Sequence, residues 1–493
     1  MITVAIIGGG FSGALTVVNL IQQAVSPVKI VLIEPRSELG KGVAYSTQFA
    51  GHLLNVPAGR MSAFPDEPLH FLKWARTKFP KLSETAFVPR ALYGEYVQDI
   101  LQSAITNLPN LVTFERFEDE VLSLKLIQDD TKAVLKLASG DVIVADRVVL
   151  ATGNNSPTAP TGVSQGIANS DRYINDPWKS DHRVFDTAGG DLLLIGTGLT
   201  MVDTVIELVQ GGFDGTIYAV SRHGLLPRAH SKNSFPAFAQ TELNQELYGD
   251  LILLFKAVKE SIRSGSFEHL FDNASTVKMD VSDWRQVIDS LRPHSQALWG
   301  SLSDKQKKRF LRHIRTYWDV HRHRMAPEIG EEIEKLVQAG KLKVLAGRLY
   351  SVNETSEALI ATVMPRGGGQ PQQLKVSRML NCSGISLDFR RSKSTLAQSL
   401  LTRGIVHPHS TGLGLSVRSD GAVLDVNQKP SKVLFTLGTI TLGLRGETVA
   451  VPELRVQTRE LARTLLQSSQ TMEFSMVHLN NPAFELEQIK LPQ

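Results

Sequence analysis

The sequence predicts an α/β fold with two Rossmann-like dinucleotide-binding domains and a helical insert. Residues 4–13 and 191–203 each combine an apolar strand, a glycine-rich turn and the start of a helix. A third segment, about 240–345, has apolar residues at helical spacing among many charges. We therefore expect a first domain over 1–185, a second over 186–385 that contains the insert, and a return to the first domain over 386–493.

The first glycine turn has the parts that a dinucleotide site needs. Gly8 allows the tight turn, Gly10 lets a pyrophosphate approach the backbone, and Gly13 lets the helix pack closely on the strand. The helix offers unpaired N–H groups to phosphates. Glu34 ends the next strand, where a carboxylate accepts hydrogen bonds from a ribose 2′-hydroxyl and repels a 2′-phosphate. The alternative is an ordinary strand–turn–helix crossover.

The second turn has the same form but a different strand end. Gly196 and Gly198 precede a helix, and Met201 occupies the position of the third glycine. The following strand ends in Arg222, and a basic residue there suits the 2′-phosphate of NADPH. An ordinary crossover with a surface arginine is the alternative.

Helix-start signals mark the insert and the last third of the chain. Ser303 and Gln306 form a capping box before a basic helix. Pro452 predicts another helix start, because proline is tolerated in the first turn. A strand ending at Gly438 comes shortly before it, and a helix N-terminus at such a place would suit the electron-rich edge of a reduced flavin.

Composition narrows the class of protein. With 493 residues, 42% hydrophobic and 21% charged, the chain predicts two or three ordinary globular domains in the cytoplasm. A net charge of +4 favours small anionic ligands over nucleic acid, and no apolar run has the length of a membrane span. The histidines between 313 and 323 match no usual ligand spacing, so we expect no metal. The single Cys382 excludes a C-x-x-C redox pair and with it the disulfide reductases.

Taken together, these segments resemble the FAD/NAD(P)-binding flavoproteins that include FAD-dependent urate hydroxylases and aspartate N-monooxygenases. The resemblance spans nearly the whole chain and is carried by residues 8–13 (GGGFSG), 42–46 (GVAYS), 52–66 (HLLNVPAGRMSAFPD), 87–96 (FVPRALYGEY), 196–203 (GTGLTMVD), 283–289 (DWRQVID), 317–327 (YWDVHRHRMAP) and 449–455 (VAVPELR). It implies a two-dinucleotide-binding-domain flavoprotein, with FAD in the first domain and NAD(P)H in the second.

The resemblance also implies site residues. Those for the ADP half of FAD are Gly8, Gly10, Ser12, Gly13 and Glu34, with Val121 near the adenine and Thr152 and Gly153 near the pyrophosphate. Those around the flavin ring are Asn55, Val56, Gly438, Thr439 and Pro452, and those for NADPH are Gly196, Gly198, Thr200 and Arg222. The pair Gly438-Thr439 departs from the Gly-Asp of many two-dinucleotide flavoproteins, and the F-x-G-x-x-x-H fingerprint of common flavin monooxygenases is absent from the sequence.

The leading hypothesis is an NADPH-dependent FAD monooxygenase that uses O₂ and a C4a-(hydro)peroxyflavin. Its substrate would be small, polar or anionic, and nitrogen-containing, with Arg90 and Arg324 as candidate carboxylate clamps or, alternatively, as structural ion pairs. No catalytic side chain is assigned, because flavin and nicotinamide carry the chemistry. The alternatives are an NAD(P)H oxidase or electron-transfer reductase, and a nucleotide-binding regulatory protein. The sequence makes no prediction of oligomeric state.

Overall fold

The structure, a computed structural model, describes residues 1–179, 189–233, 242–272 and 281–467. Its strands are β1 (Ile2–Ile7), β2 (Val28–Ile33), β3 (Val112–Phe117), β4 (Val121–Ile127), β5 (Lys132–Leu137), β6 (Val142–Ala145), β7 (Arg147–Leu150), β8 (Tyr173–Ile174), β9 (Leu192–Ile195), β10 (Ile217–Ser221), β11 (Leu342–Glu354), β12 (Leu359–Pro365), β13 (Gln372–Val376), β14 (Arg378–Asn381), β15 (Ala422–Leu424) and β16 (Pro430–Thr436).

The helices alternate with these strands and also form a separate group after residue 242. They are α1 (Phe11–Gln23), α2 (His70–Lys78), α3 (Arg90–Thr106), α4 (Gln165–Ala168), α5 (Leu199–Gln210), α6 (Leu251–Ser264), α7 (Trp284–Ser290), α8 (Ser295–Ser301), α9 (Asp304–His313), α10 (Arg315–Arg322), α11 (Pro327–Gln338), α12 (Thr395–Thr402), α13 (Leu442–Arg445) and α14 (Val451–Leu466). No helix of the described ranges has both the length and the apolar content of a membrane span.

The first sheet has the order β15-β16-β7-β1-β2-β3, and only β15 runs antiparallel to its neighbour. Its strands are apolar on both faces, as parallel strands covered on both sides must be. Helices α1, α3 and α14 cover one face, and the antiparallel sheet β4-β5-β6 covers the other. Strands β15 and β16 come from the last third of the chain and join this sheet beside β7.

The second sheet has the order β13-β12-β11-β10-β9-β14-β8, with a parallel part from β11 to β8 and an antiparallel hairpin formed by β12 and β13. Helices α5 and α11 pack on it around buried Val205 and Ile333. Two parallel sheets, each with a glycine turn, confirm the predicted fold class. The boundary at 185/186 and the chain after 467 lie outside the described residues, and the domain limits stay predictions.

The helical insert forms a core of its own and also packs on the first domain. Leu243, Phe267 and Val287 belong to its interior, although residues 234–241 and 273–280 of this region lie outside the described residues. Trp299 of α8 packs beside α13 and donates a hydrogen bond from its Nε1 to the carbonyl oxygen of Gly443 at 2.9 Å. The predicted capping box of Ser303 with Gln306 is confirmed at the start of α9. The insert therefore covers one side of the space between the two domains.

Candidate cofactor and substrate site

The first glycine turn is built so closely that side chains are excluded from it. Gly8 has a φ of +105°, and a Cβ there would overlap the carbonyl oxygen of Ala151 on the adjoining strand. A Cβ on Gly13 would overlap the carbonyl oxygen of Gly8, so only glycine lets α1 start at this distance from β1. Gly10 caps α1 without any side-chain hydrogen bond, which leaves the first N–H groups of the helix available to an anion.

Glu34 lies beside this turn and is already engaged by protein donors. Its carboxylate, only 3% exposed, accepts hydrogen bonds from the Gly9 N–H at 2.7 Å and from Arg36 Nε at 2.7 Å. Burial raises the pKa of Glu34, but the hydrogen bonds from Arg36 and Gly9 outweigh it, and the pKa lies below its ordinary value. A ribose hydroxyl at this carboxylate would therefore share it with Arg36, a residue that the sequence analysis missed two positions away.

The loops that follow β7 and β16 meet at the same edge of the sheet. Thr439 Oγ1 donates a hydrogen bond to Asn154 Oδ1 at 2.7 Å, which joins the two loops. Gly438, with a φ of +72°, donates its N–H to Gln457 Oε1 of α14 at 3.1 Å. Helix α14 begins at Val451 with Pro452 in its first turn, as predicted, and no side chain caps it. The residues implied for the flavin edge thus lie close to the first glycine turn.

The remaining residues implied for FAD have the following positions. Ser12 lies in the first turn of α1, near Gly438. Thr152 and Gly153 follow β7 and are exposed. Val121 is buried at the start of β4. Asn55 and Val56 lie in the loop that precedes the short helical turn Ala58–Arg60 and line the large cleft described below.

The second glycine turn repeats the first one in part. Gly196 has a φ of +110°, and a Cβ there would overlap the carbonyl oxygen of Cys382, a buried residue that follows β14. A Cβ on Gly198 would meet no atom within 4 Å, so this glycine leaves open space at the uncapped N-terminus of α5. Met201 is fully buried in the core between α5 and the sheet. Thr200 lies in the first turn of α5 and lines the large cleft.

Arg222 opens onto a small cavity of about 520 Å³ that collects basic side chains. Arg312 of α9, Arg348 of β11 and Arg366 beyond β12 line it with Arg222, and no carboxylate of the described residues does. Arg366 donates a hydrogen bond to Nδ1 of His223, whose pKa is lowered by burial and by Arg366 and Arg222. Four guanidinium groups side by side give this cavity a positive charge, which is the kind of lining that binds phosphate or carboxylate.

A second, larger cleft of about 1180 Å³ lies between the two domains and beneath the insert. The starts of α5 and α14 open into it, at Thr200 and at Val451 respectively. Asn55 lines it from the first domain, and Arg285 and Arg324 line it from the insert. Of the residues predicted to contact the two cofactors, Asn55, Val56 and Thr200 line this cleft. Its volume is large enough for the reacting ends of two cofactors and a small substrate.

Arg90, a candidate clamp, lies in this cleft but is paired across the domains. Its Nη2 lies 2.9 Å from Oδ2 of Asp203 in α5, and both side chains are almost completely buried. Burial raises the pKa of Asp203, and Arg90 opposes that rise. Arg90 therefore joins the first domain to α5, and its role toward a substrate stays a prediction.

Arg322 and Arg324 project from the end of α10 and from the residues after it, and both line the cleft. Arg322 lies 3.1 Å from Oε2 of Glu447, and that carboxylate also accepts hydrogen bonds from Ser295 and Trp318 of the insert. Burial raises the pKa of Glu447, but the charge of Arg322 and the hydrogen bonds to the carboxylate outweigh burial. The pKa therefore lies below its ordinary value, and the carboxylate is ionised at neutral pH. This buried ion pair holds the insert on the segment that leads into α14.

The two parallel sheets, each with a glycine turn followed by an uncapped helix, define an architecture with two domains of the dinucleotide-binding type. Residues 5–155 match a family model described as FAD-NAD(P)-binding. A Baeyer-Villiger monooxygenase of Stachybotrys chlorohalonatus is 23% identical over 222 residues, which are 42% of this chain and 31% of that protein.

Solved structures of N-hydroxylating enzymes have the same fold over most of their length. The L-lysine 6-monooxygenase of Pseudomonas syringae is similar with a TM-score of 0.63 and 14% identity, covering 94% of this chain and 99% of that one. The ornithine N-hydroxylase of Kutzneria sp. 744, solved with reduced FAD, NADP⁺ and L-ornithine, gives a TM-score of 0.61 and 13% identity, with coverage of 94% and 99%. These likenesses establish the fold.

Proposed function

We propose that this protein is an NADPH-dependent FAD monooxygenase that acts on a small polar or anionic nitrogen-containing substrate. One observation carries the proposal: two glycine turns with oppositely charged strand ends, Glu34 and Arg222, belong to two domains whose helices α14 and α5 open into a single cleft. Such an arrangement brings one tightly held and one exchangeable dinucleotide to the same reaction space.

The residues of the first domain fit FAD. The backbone around Gly8 and Gly13 leaves no room for side chains, and the uncapped start of α1 would bind the pyrophosphate. Glu34, held by Arg36 and the Gly9 N–H, lies where its carboxylate would accept a hydrogen bond from a ribose hydroxyl. The start of α14, with Gly438 nearby, would lie at the flavin edge that becomes electron-rich on reduction.

The residues of the second domain fit NADPH rather than NADH. The open space at Gly198 and the uncapped start of α5 would admit the pyrophosphate. The basic cavity at Arg222 would then receive the 2′-phosphate, because Arg348 and Arg366 converge there and none of the described residues that line it is a carboxylate. An adenosine without this phosphate gains nothing from the four arginines.

FAD, when bound, supplies the hydride acceptor and the reactivity toward O₂ that amino-acid side chains lack. The protein orients the reactants and excludes water from the cleft. The ion pair of Arg322 with Glu447 serves the second purpose, since it fixes the insert over the cleft. Within the substrate class, the resemblance favours a carboxylate or urate-like anion. Arg90 and Arg324 both line the cleft as candidate clamps, and each is already paired with a carboxylate, Arg90 with Asp203 and Arg324 with Asp289.

Three further points stay predictions from the sequence. They are the cytoplasmic location, the use of a small-molecule substrate together with O₂, and the lack of a nucleic-acid partner. The domain division at 185/186 and 385/386 is part of the same proposal.

Anaerobic titration of the purified protein with NADPH tests the proposal. We expect NADPH to bleach the flavin absorbance completely and NADH to do so at least about tenfold less efficiently, because charge-assisted hydrogen bonds to the 2′-phosphate are worth more than 1.4 kcal/mol. Protein that binds no FAD, or a flavin that NADPH leaves oxidised, would contradict it.

Admission of air then separates a monooxygenase from an NAD(P)H oxidase. With a true substrate present, NADPH consumption should exceed peroxide release, whereas an oxidase releases one peroxide for each NADPH under every condition. Urate, L-aspartate and L-ornithine are the first substrates to compare, with product formation followed by mass spectrometry.

A further inference from the structure

His230 joins three parts of the molecule at the large cleft. Its Nε2 lies 3.0 Å from the carbonyl oxygen of Asn55, and its ring centroid lies 5.0 Å from that of Phe87, both in the first domain. Its own backbone N–H donates a hydrogen bond to the carbonyl oxygen of Met325, next to the insert, at 2.8 Å. Contacts on both sides therefore fix the position and the ring plane of this histidine.

The hydrogen bond to Asn55 also fixes the tautomer of His230. A backbone carbonyl oxygen only accepts, so Nε2 carries the hydrogen and Nδ1 of the neutral ring is an acceptor. Nδ1 makes no hydrogen bond within the described ranges, and it is not among their buried unpaired atoms. Because His230 lines the cleft, a ligand there can reach this lone pair.

The surroundings keep the ring neutral. Burial and then the positive charge of Arg324 lower the pKa of His230 to about 4. At neutral pH the imidazole is therefore a hydrogen-bond acceptor that does not compete with Arg324 for an anion.

Arg324 supplies the complementary group. Its side chain is 4% exposed, it is paired with Asp289 through Nη2, and its Nε is buried without a partner in the part of the chain that the structure describes. That Nε has no exposed surface, so a ligand meets Arg324 only where the rest of its side chain borders the cleft. There the positive charge of the guanidinium, which is shared with Asp289, attracts an anionic oxygen.

We propose that His230 and Arg324 form a two-point substrate subsite, in which Arg324 binds an anionic oxygen and Nδ1 of His230 accepts a hydrogen bond from a neighbouring N–H group. The ligand class is a small molecule with an N–H group a few bonds from a carboxylate or enolate oxygen. This inference rests on the proposed function, because it assigns the cleft to the substrate. His230 acts by positioning the nitrogen, and no bond forms to it.

Isothermal titration calorimetry of the oxidised protein, with L-aspartate, succinate and urate as probes, tests the subsite. L-Aspartate and succinate share two carboxylates and differ in the ammonium group, so the wild-type protein should prefer L-aspartate by roughly tenfold, the worth of one hydrogen bond to a charged donor. The variant His230→Gln keeps an N–H for Asn55 but removes the acceptor at the δ position. Compared with the wild-type protein, this variant should bind L-aspartate or urate, whichever the wild type binds, with roughly tenfold lower affinity, and it should bind succinate with the same affinity.

Two further variants keep the test decisive. His230→Asn restores an acceptor at the δ position and should recover part of the lost affinity, whereas His269→Gln, an exposed histidine of the insert, should change nothing. The proposal is overturned if neither L-aspartate nor urate binds the wild-type protein, or if His230→Gln binds both as tightly as the wild type does. The titration uses neither NADPH nor O₂, so its outcome is independent of the anaerobic test of the proposed function.

Discussion

The two glycine turns have the same backbone shape at their first and second glycines and differ at the third position and at the end of the following strand. Gly8 and Gly196 both have positive φ angles, and a Cβ on either would overlap a carbonyl oxygen of the neighbouring strand. At the third position, Gly13 is forced by contact with the turn itself, whereas Met201 fills the core of the second domain. The first turn therefore has no room for a side chain at the position where the second turn has Met201.

The residues at the ends of the strands that follow the two turns also differ in charge and in exposure. Glu34 is buried and bound by protein donors, whereas Arg222 is exposed at the mouth of a cavity with three more arginines. A closed site with an internally satisfied acid suits a resident ligand. An open site lined by several arginines suits a ligand that arrives and leaves. The tightness of a nucleotide turn is thus a guide to how long its ligand stays.

Substitution of the third glycine should give the largest effect. Gly13→Ala forces a backbone shift between α1 and β1, because the new Cβ overlaps a carbonyl oxygen and no flexible side chain can yield. We expect a loss of about 3 kcal/mol in the free energy of unfolding, and protein that purifies without FAD. Gly198→Ala is the matched change in the second turn, where a Cβ meets nothing within 4 Å, and it should keep the melting temperature and the FAD content. Equal effects of the two variants on thermal unfolding would remove the distinction between the turns.

Removal of the cations at the second strand end should have a smaller, selective effect. The double variant Arg222→Ala/Arg348→Ala should lower kcat/KM for NADPH by roughly tenfold to a hundredfold and leave NADH within about twofold, because only the 2′-phosphate loses partners. Stopped-flow flavin reduction measures both. Arg309→Ala is the control, since Arg309 is exposed on α9 near Arg312 but does not line the cavity. If kcat/KM for NADH fell as much as kcat/KM for NADPH, the cavity would not be the binding site of the 2′-phosphate.

Neutralising the acid of the first turn should give the smallest effect, and one that depends on pH. The folded state lowers the pKa of Glu34 below 4.5, so its stabilisation is fully present above that pH and is lost as the pH falls through the folded pKa. Glu34→Gln should cost on the order of 1 kcal/mol near neutral pH, and the gap to the wild type should close in acid. Arg36→Ala, which removes the main donor, should make that loss begin at higher pH. Chemical denaturation over a pH series measures both, and a gap that is constant with pH would mean that Glu34 contributes by packing alone.

Local rules were enough to predict the fold and the two turns. The strand–turn–helix order, the need for glycine at Gly8 and Gly196, and the helix start at Pro452 each follow from a few consecutive residues. The capping box of α9 does as well, because both partners lie within one helical turn. These interactions are short in sequence, so the pattern alone specifies them.

The parts of the site that escaped prediction depend on residues far apart in the chain. Arg348 and Arg366 join Arg222 only because β11 and β12 form a hairpin beside β10. His230 contacts Asn55, which lies 175 residues earlier, and no periodicity or motif connects them. Arg90 looked like a clamp by its chemistry, but its pairing with Asp203 follows from how the domains meet. Sheet order and domain contacts, which composition and spacing do not encode, decide these neighbours.

The burial of Cys382 protects its thiol from oxidation by peroxide, a by-product that the proposed reaction would release. It is the one cysteine of the chain, it is buried behind the second glycine turn, and burial raises the pKa of its thiol to about 12. Peroxide oxidises thiolates, so a protonated and inaccessible thiol is inert to it. A flavoprotein that leaks peroxide whenever its substrate is scarce would therefore lose no activity through sulfenic acid or disulfide formation, and turnover without substrate would waste NADPH but spare the catalyst.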